Sequence, residues 1–302
     1  MGLPRREPST VTSKLHTNDQ HFLYYTSKFF EEFTISNILG VGSYGLVFRT
    51  ENKLDGLQYA VKRISVESNL GTRTNAFSEA TAMQQLDHPS IVKYKTSWIE
   101  TPPILWQMTE DLEMLKRFQR SAMPTYHRCD QTATFIYIQM ELCSYTLSDW
   151  LNLRHTDPQI RPWFRQITSA VEYIHEKGFI HRDLKPSNIL FSTPDTVKIC
   201  DLGLATERKL EFGNELTGTY TIIGSPLYMA PEQANTLNFT EYFVMRNSLA
   251  NRMEIFNNYR SGKPNNILWN QPKTKEFITL LTNVDPKKRS TSTEMLQHKF
   301  LN

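Results

Sequence analysis

The sequence predicts an α+β fold in which a small antiparallel β-sheet with one helix precedes a mainly helical region. Residues 39–64 contain short apolar and β-branched segments broken by Asp55 and Gly56, a pattern typical of a β-hairpin followed by a third strand. Helical spacing follows at residues 76–88, and a longer apolar face at residues 159–177 stops at Gly178. The 302 residues are enough for one large domain or for two lobes.

The composition argues against nucleic acid or a membrane as the main partner. The 34 basic and 31 acidic residues leave a net charge of only +3, and no run of 18 apolar residues is present. Three cysteines, Cys129, Cys143 and Cys200, lack the spacing of a metal site or a disulfide framework. We therefore expect reduced thiols and a cytoplasmic protein that makes no direct contact with nucleic acid.

The first 28 residues are predicted to be a flexible tail, because residues 1–20 are polar and show no helical or strand period. The tail also lacks the apolar core of a signal peptide. Residues 21–38 carry an aromatic cluster that we expect to pack at the entry to the first strand. Its members are Phe22, Tyr24, Tyr25, Phe29, Phe30 and Phe33.

A glycine-rich string opens the predicted sheet. It follows the pattern G-x-G-x-x-G-x-V and comprises Leu39, Gly40, Val41, Gly42, Ser43, Tyr44, Gly45, Leu46 and Val47. Such glycines let a backbone close over phosphates, but dinucleotide-binding folds use a similar string followed directly by a helix. Here the chain continues as a strand over residues 47–50, turns, and resumes at residues 59–64. The pattern therefore favours a phosphate-covering hairpin over a dinucleotide-dependent enzyme.

The later elements are predicted from their apolar spacing. Residues 76–88 place Phe77, Ala80, Met83 and Leu86 on one helical face. Residues 135–143 form an apolar strand. Residues 159–177 form a helix that should pack in the larger part of the fold; its apolar face consists of Ile160, Phe164, Ile167, Ala170, Val171 and Ile174.

Residues 181–188, His-Arg-Asp-Leu-Lys-Pro-Ser-Asn, bring a carboxylate, a lysine and a carboxamide together within a few positions. This string resembles the catalytic loop of eukaryotic protein kinases; the alternative is a turn that is merely rich in charge. The resemblance implies that Asp183 accepts the proton of a substrate hydroxyl. It also implies that Lys185 steadies the transferring phosphoryl group and that Asn188 holds a magnesium ion.

The same resemblance implies roles for three more residues. Residues 59–62, Tyr-Ala-Val-Lys, are similar to a kinase strand whose lysine contacts the α- and β-phosphates of ATP. Lys62 would therefore bind ATP and pair with Glu79 on the following helix. Asp201 opens the string Asp-Leu-Gly, where the family usually has Asp-Phe-Gly. It would bind magnesium that bridges the phosphates.

Residues 52–56, 94–100 and 138–143 carry a narrower resemblance. They are similar to the kinases that phosphorylate the alpha subunit of translation initiation factor 2, and nearest to the haem-regulated branch of these kinases. In such a kinase, backbone groups of Glu141 and Cys143 would bind adenine. These kinases carry an insert between the fourth and fifth strands, which corresponds to residues 101–134. The insert is polar and mixed in charge, so we expect most of it to be disordered.

The activation segment of a kinase corresponds to residues 204–223. Within it we favour Thr219 or Thr221 as a phosphorylation site, with Arg182 as the partner of the added phosphate. The string that follows, Gly-Ser-Pro-Leu-Tyr-Met-Ala-Pro-Glu, resembles a serine/threonine kinase rather than a tyrosine kinase. Ser225 in this string replaces the more usual threonine and keeps a hydroxyl near the catalytic aspartate.

The resemblance breaks after Glu232. A complete kinase domain continues with an aspartate and a long apolar helix at the centre of the large lobe. Residues 233–256 contain neither the aspartate nor such a helix. Glu232 and its expected partner Arg289 are 57 positions apart (289 minus 232), against about 70 in a complete domain. Either residues 239–258 stand in for the missing helix, or the chain is a deleted form with a weakened large lobe.

We therefore predict a two-lobed kinase domain over about residues 33–301, with a small lobe at 29–143 and a large lobe at 144–302. The predicted function is phosphorylation of serine or threonine with ATP and Mg²⁺. The expected protein substrate is the alpha subunit of translation initiation factor 2, whose phosphorylation would repress translation under stress. A homodimer through the small lobe is implied by the same resemblance. The alternative is a catalytically impaired form that acts as a nucleotide-binding or dimerising decoy.

Overall fold

The computed structural model describes residues 25–42, 45–66, 70–119, 133–153, 160–203, 205–207, 225, 228, 272–283 and 285–302. Several regions named by the sequence predictions lie outside the described residues. Among them are the tail up to residue 24, the favoured phosphorylation sites Thr219 and Thr221, and the break at residues 233–256 together with Glu232.

A five-stranded antiparallel sheet forms the small lobe. Its elements are α1 (Lys28–Glu32), β1 (Phe33–Gly42), β2 (Gly45–Asn52), β3 (Gln58–Val66), α2 (Leu70–Gln85), β4 (Tyr94–Glu100), α3 (Ile104–Arg117) and β5 (Thr134–Glu141). The strand order is β1-β2-β3-β5-β4, and every neighbouring pair is antiparallel. The predicted hairpin and third strand are thus confirmed.

The small lobe begins slightly earlier than predicted. Ser27 accepts a hydrogen bond from the amide of Phe30 and caps α1, so the assignment of residues 25–28 to a flexible tail is wrong. Phe29 is fully buried, and its ring centroid lies 5.9 Å from that of Phe33 at the start of β1. Phe29, Phe30 and Phe33 therefore pack at the entry to the first strand, as predicted, whereas Phe22 and Tyr24 lie outside the described residues.

Side chains of β3 alternate between the two faces of the sheet. Val61 and Arg63 lie in an outer layer covered by α1 and α3. Ala60 and Ile64 belong to an inner cluster that continues through α2 into the large lobe. Because the side-chain period of a strand is two, Lys62 faces the cleft between the lobes while its neighbour Arg63 faces away from it.

Helix α2 is shifted relative to the predicted residues 76–88. Its buried face runs through Glu79, Ala82 and Met83, at helical spacings of three and four. Phe77 stands two positions before Glu79 and therefore points to another side of the helix, where it is 43% exposed. The assignment of Phe77 to the apolar face is thus wrong.

The insert contains a packed helix. The expectation that most of residues 101–134 are disordered is wrong for the half that includes α3, whereas residues 120–132 lie outside the described part of the chain. Met114 and Leu115 are buried in the outer layer, and Asp111 is fully buried beside them. The sequence of the insert is polar because α3 buries only a few of its side chains. Those buried side chains recur on one face of the helix, which is enough to pack it against the sheet.

The large lobe is described in part. Its elements are β6 (Tyr145–Thr146), α4 (Leu147–Asn152), α5 (Ile160–Glu176), β7 (Phe179–Ile180), β8 (Ile189–Thr193), β9 (Thr196–Ile199), β10 (Thr206–Glu207), α6 (Pro272–Leu281) and α7 (Ser292–Gln297). Helix α5 buries most of its predicted face, although Ile160, at its first turn, is 51% exposed. Phe164 on α5 contacts Phe277 on α6 with ring centroids 5.7 Å apart. Among the helices that the structure describes, none has the length and apolar character needed to cross a membrane.

Candidate active site

Three charged side chains meet where the sheet faces the large lobe. Lys62 Nζ donates to Glu79 Oε1 at 2.6 Å and to Asp201 Oδ1 at 2.8 Å. Lys62 lies on β3, Glu79 on α2, and Asp201 follows β9 closely. The pair of Lys62 with Glu79 forms as the sequence predicted. The contact with Asp201 adds a link between the two lobes that sequence reasoning missed.

Local structure positions these three groups. Lys62 lies in the middle of the sheet, opposite Ile138 on β5. The amide of Cys200 donates to the Asn188 carbonyl at 2.9 Å and fixes the end of β9. Asp201 has a φ of 64°, a left-handed backbone that residues other than glycine rarely adopt. The chain therefore turns sharply after β9, at the residue whose carboxylate reaches Lys62.

The three groups determine one another's charge. Burial disfavours the charged form of Lys62, but the carboxylates of Glu79 and Asp201 more than offset this and raise its pKa. Burial would raise the pKa of Asp201, yet Lys62 holds that pKa below its ordinary value. Burial raises the pKa of Glu79 although Lys62 opposes the change. The cluster therefore favours a charged lysine and a charged Asp201 in a largely buried site.

The catalytic loop gathers polar groups around Asp183, which is 6% exposed. Lys185 Nζ donates to Asp183 Oδ2 at 2.6 Å and to Ser225 Oγ at 2.9 Å. Asn188 Nδ2 donates to the same carboxylate oxygen at 3.1 Å, and the amide of Ser225 donates to Oδ1 at 2.9 Å. The structure thus brings the predicted residues of the loop together, with the Ser225 hydroxyl beside them. These donors hold the carboxylate in one orientation.

His181 ties the catalytic loop to the end of β9. The amide of Asp183 donates to His181 Nδ1 at 3.3 Å, which assigns the ring proton to Nε2. Nε2 then donates to the Cys200 carbonyl at 3.0 Å. Burial lowers the pKa of His181 and keeps the ring neutral. Sequence reasoning missed this supporting contact, because a histidine beside a catalytic aspartate gives no signal of which backbone it will bind.

The glycine-rich hairpin approaches β3 closely. Gly45 lies opposite Gly42 in the hairpin and has a φ of 141°. A Cβ at Gly45 would lie 1.9 Å from the carbonyl oxygen of Arg63, so only glycine fits at this position. Ser43 and Tyr44, at the tip of the predicted phosphate-covering string, lie outside the described residues.

Side chains of the hairpin divide between the two faces of the sheet. Val47 packs against the inner cluster that lines the cleft. Leu46, which the sequence analysis assigned to the phosphate-covering string, is buried in the outer layer and is 1% exposed. Its side chain points away from the cleft, because neighbouring side chains on a strand alternate, so that assignment is wrong for the side chain. Leu39 and Val41, on β1, are both exposed.

Glu141 is the last residue of β5, and Cys143 follows it by two positions. The amide of Glu141 donates to the Lys93 carbonyl at 3.0 Å, so this N–H is not available to adenine. The Glu141 carboxylate accepts from Lys198 Nζ at 2.7 Å and from the Lys93 amide at 2.6 Å, contacts that sequence reasoning missed. Burial raises the pKa of Cys143 to about 12, so its thiol is neutral.

Asn188 and Asp201 offer oxygen ligands of the kind that Mg²⁺ prefers. Asn188 uses Nδ2 to contact the Asp183 carbonyl at 3.0 Å, which leaves its amide oxygen as the atom suited to a metal. Mg²⁺ usually binds through one or two protein ligands together with substrate phosphates. Within the described residues, no group of three or more histidine, cysteine, aspartate or glutamate side chains is placed to hold a metal. The donor set therefore fits Mg²⁺ bound together with phosphates.

Gly203 is a site residue that was not predicted. A Cβ at this position would lie 2.7 Å from Glu79 Oε2 and 3.4 Å from Asp201 Oδ1. The absence of a side chain lets α2 approach the Asp-Leu-Gly turn closely enough for Glu79 to reach Lys62. Leu202 beside it is 2% exposed and fills the inner cluster.

The chain is similar to known kinases. The protein kinase domain family matches residues 33–243. The rat "Interferon-induced, double-stranded RNA-activated protein kinase" is 32% identical over 98% of this chain and 57% of its own length. The "Eukaryotic translation initiation factor 2-alpha kinase pek-1" of Caenorhabditis elegans is 23% identical over 92% of this chain and 45% of its own length. Human "eIF-2-alpha kinase GCN2" is 26% identical over 91% of this chain and 25% of its own length. The chain therefore spans between a quarter and 57% of these relatives.

Two of these relatives are named as kinases of translation initiation factor 2 alpha, which confirms the predicted resemblance. Its refinement to the haem-regulated branch stays a prediction. The family match ends at residue 243, within the stretch 233–256 where the sequence departs from the kinase pattern. Since the match covers more than half of the chain and the described cleft brings the family's polar residues together, the chain belongs to the protein kinase domain family.

Proposed function

We propose that the chain is an ATP-dependent protein serine/threonine kinase. The proposal is carried by two clusters of charged side chains that lie at the same cleft. Lys62, Glu79 and Asp201 are joined by contacts of 2.6 and 2.8 Å. Asp183 and Lys185 are joined by a contact of 2.6 Å in the neighbouring loop. Phosphoryl transfer depends on positioning and charge neutralisation, and these residue types supply both.

Each residue has a defined part in the proposed reaction. Asp183 orients the substrate hydroxyl and accepts its proton while the hydroxyl oxygen bonds to the γ-phosphorus of ATP. The bond from that phosphorus to its bridging oxygen breaks, and ADP leaves. Lys185 places positive charge beside the transferring group, and Lys62 contacts the α- and β-phosphates. Mg²⁺, held by Asn188 and Asp201 with the phosphates, would neutralise their charge.

The proposed protein substrate is the alpha subunit of translation initiation factor 2, with repression of translation under stress as the outcome. Support comes from the two relatives named for that substrate, which align over 92% and 91% of this chain. The contact of Lys185 with the Ser225 hydroxyl at 2.9 Å supports serine and threonine specificity. The same proposal includes a cytoplasmic location and a homodimer through the small lobe.

Transfer of labelled γ-phosphate from ATP to the purified alpha subunit tests the proposal. We expect the full chain to transfer phosphate in the presence of Mg²⁺. Asp183→Asn should lose about 100-fold or more in rate, because it removes the proton acceptor. Glu113→Gln, on the exposed side of α3, is a control that should keep the rate. A folded wild-type chain that transfers no phosphate would contradict the proposal.

A second candidate function is a nucleotide-binding or dimerising decoy. It is favoured by the break in the family pattern, since the match ends at residue 243 and Glu232 and Arg289 are only 57 positions apart. A decoy would bind Mg-ATP without transferring its phosphate. Measuring nucleotide binding beside the transfer rate therefore separates the two functions.

A further inference from the structure

A buried ion pair joins helix α3 to the strand that carries Lys62. Arg63 Nη1 and Nη2 donate to Asp111 Oδ1 and Oδ2 at 2.8 and 2.6 Å. The side chain of Arg63 is 2% exposed and that of Asp111 is 0% exposed. Two parallel hydrogen bonds between a guanidinium and a carboxylate fix the orientation of both groups. The pair therefore determines where α3 sits on the sheet.

Aromatic rings and an amide enclose this pair. The Arg63 guanidinium carbon lies 5.5 Å from the ring centroid of Phe48 and 4.9 Å from that of Phe135. Gln107 Nε2 donates to Asp111 Oδ1 at 3.0 Å. Burial by itself would lower the pKa of Arg63, but Asp111 more than offsets this effect and raises it. Without the Asp111 charge, Arg63 would be an unpaired buried cation, which a protein interior tolerates poorly.

The backbone of Arg63 lies directly against the glycine-rich hairpin. It follows Lys62 directly on β3, and the two side chains leave opposite faces of the sheet. Its carbonyl oxygen is the atom that a Cβ at Gly45 would meet at 1.9 Å. Leu46, the next residue of the glycine-rich hairpin, pairs with Arg63 across β2 and β3. A displacement of Arg63 must therefore move both Lys62 and the hairpin.

We propose that helix α3, acting through the Asp111–Arg63 pair, is a positioning element for ATP binding. It holds Lys62 and the glycine-rich hairpin in the geometry that receives the phosphates. The inference rests on the proposed function, since it assumes that Lys62 contacts ATP. Asp111 and Arg63 do not touch the nucleotide themselves, because their side chains lie on the opposite face of the sheet.

The test measures the dissociation constant of Mg-ATP for the full chain by calorimetric titration, with KM for ATP and kcat alongside. Asp111→Asn should raise the dissociation constant and KM roughly 3- to 30-fold and leave kcat at saturating ATP within about twofold. Glu113→Gln, on the exposed side of the same helix, should leave the dissociation constant unchanged. A merely structural role would lower the melting temperature but leave the ATP affinity of the folded protein intact.

A paired substitution provides a rescue. Arg63→Met combined with Asp111→Leu removes both charges and keeps the outer layer filled, a replacement that buried ion pairs often tolerate. This double variant should return the dissociation constant to within about twofold of wild type. Arg63→Met alone leaves Asp111 unpaired and should bind ATP weakly. Gln107→Leu removes only one hydrogen bond, so it should give a smaller rise and serves as the test if Asp111→Asn does not fold.

The outcomes separate this inference from the proposed function. A wild-type chain that fails to bind Mg-ATP would overturn the proposed function, and the positioning role with it. If the wild-type chain binds Mg-ATP and folded Asp111→Asn or Gln107→Leu has the same dissociation constant, the positioning role alone is overturned. Weakened binding in the single variants with recovery in the double variant supports it.

Discussion

Neighbouring residues of β3 carry two buried cations that point to opposite faces of the sheet. Lys62 is paired with Glu79 and Asp201 on the cleft side, and Arg63 is paired with Asp111 on the outer side. Removing one partner of such a pair typically costs about 3–5 kcal/mol, because the remaining charge stays buried. At the residue scale, function therefore depends on the individual residues that keep these carboxylates within hydrogen-bonding distance of Lys62 and Arg63.

Gly203→Ala should weaken phosphate transfer by disturbing the Lys62–Glu79 pair. The added Cβ would lie 2.7 Å from Glu79 Oε2, so Glu79 must move. We expect kcat/KM for ATP to fall between about 10- and 100-fold, the size of effect that a small misplacement of an active-site group produces. Steady-state kinetics of the purified full chain measures the change.

A double-substitution cycle provides the control for Gly203→Ala. Glu79→Gln weakens the same ion pair, so adding Gly203→Ala to it should lower kcat/KM much less than in the wild-type background. If the two losses simply multiply, Gly203 does not act through Glu79.

His181 should make stability depend on pH in the weakly acidic range. Burial lowers its folded-state pKa below the unfolded value of about 6.5. Between these two values the unfolded chain binds more protons, so the free energy of unfolding falls as the pH falls through this window. His88, whose pKa is also lowered by burial, contributes in the same direction. The loss from His181 is at most about 1.4 kcal/mol per pH unit.

Urea unfolding at pH 7.5 and pH 5.5 measures this effect. We expect His181→Asn to lower stability at pH 7.5 but to show a smaller loss on acidification than wild type. An equal loss in both chains would mean that the ring does not remain neutral in the folded protein.

At the scale of elements, the sequence predicted those whose period or motif is strong. The β1–β2 hairpin, β3 and α5 follow from local patterns, and Lys62 and Asp183 follow from motifs. Helix α3 was not predicted, because Asp111 on this helix pairs with Arg63, 48 positions away in the sequence. A single sequence carries no pairing signal across such a separation. The wrong assignment of Leu46 has another cause, since a motif marks a segment but not the face to which each side chain points.

Helix α7 should depend on its N-terminal cap. Thr291 Oγ1 accepts from the Glu294 amide at 3.3 Å, and Glu294 Oε2 accepts from the Thr291 amide at 2.8 Å. Thr291→Ala should therefore lower the free energy of unfolding by about 1 kcal/mol, whereas Thr291→Ser should keep most of it. Urea unfolding measures both variants. An alanine variant as stable as wild type would show that the cap does not contribute.

At the scale of the whole molecule, one apolar cluster joins the two lobes. It extends from Ala60 on the sheet through α2 to Phe277 in the large lobe. Backbone contacts reinforce it, since the amide of Val92 donates to the Ile199 carbonyl at 2.9 Å and the amide of Ile199 donates to the Ser90 carbonyl at 2.8 Å. Ile199 stands two positions before Asp201, so the contact between the lobes also places the carboxylate that reaches Lys62.

The most direct measurement is thermal unfolding of the full chain with and without Mg-ATP, because it asks whether the separate polar groups form one nucleotide-binding cleft. Ligand at about 100 times its dissociation constant stabilises a protein by about 2.7 kcal/mol. For a chain of this size, that gain raises the melting temperature by about 5 °C. We expect a cooperative transition that shifts by this amount in the wild-type chain and hardly at all in Lys62→Met. A broad transition that Mg-ATP does not shift in the wild-type chain would contradict the assembled cleft.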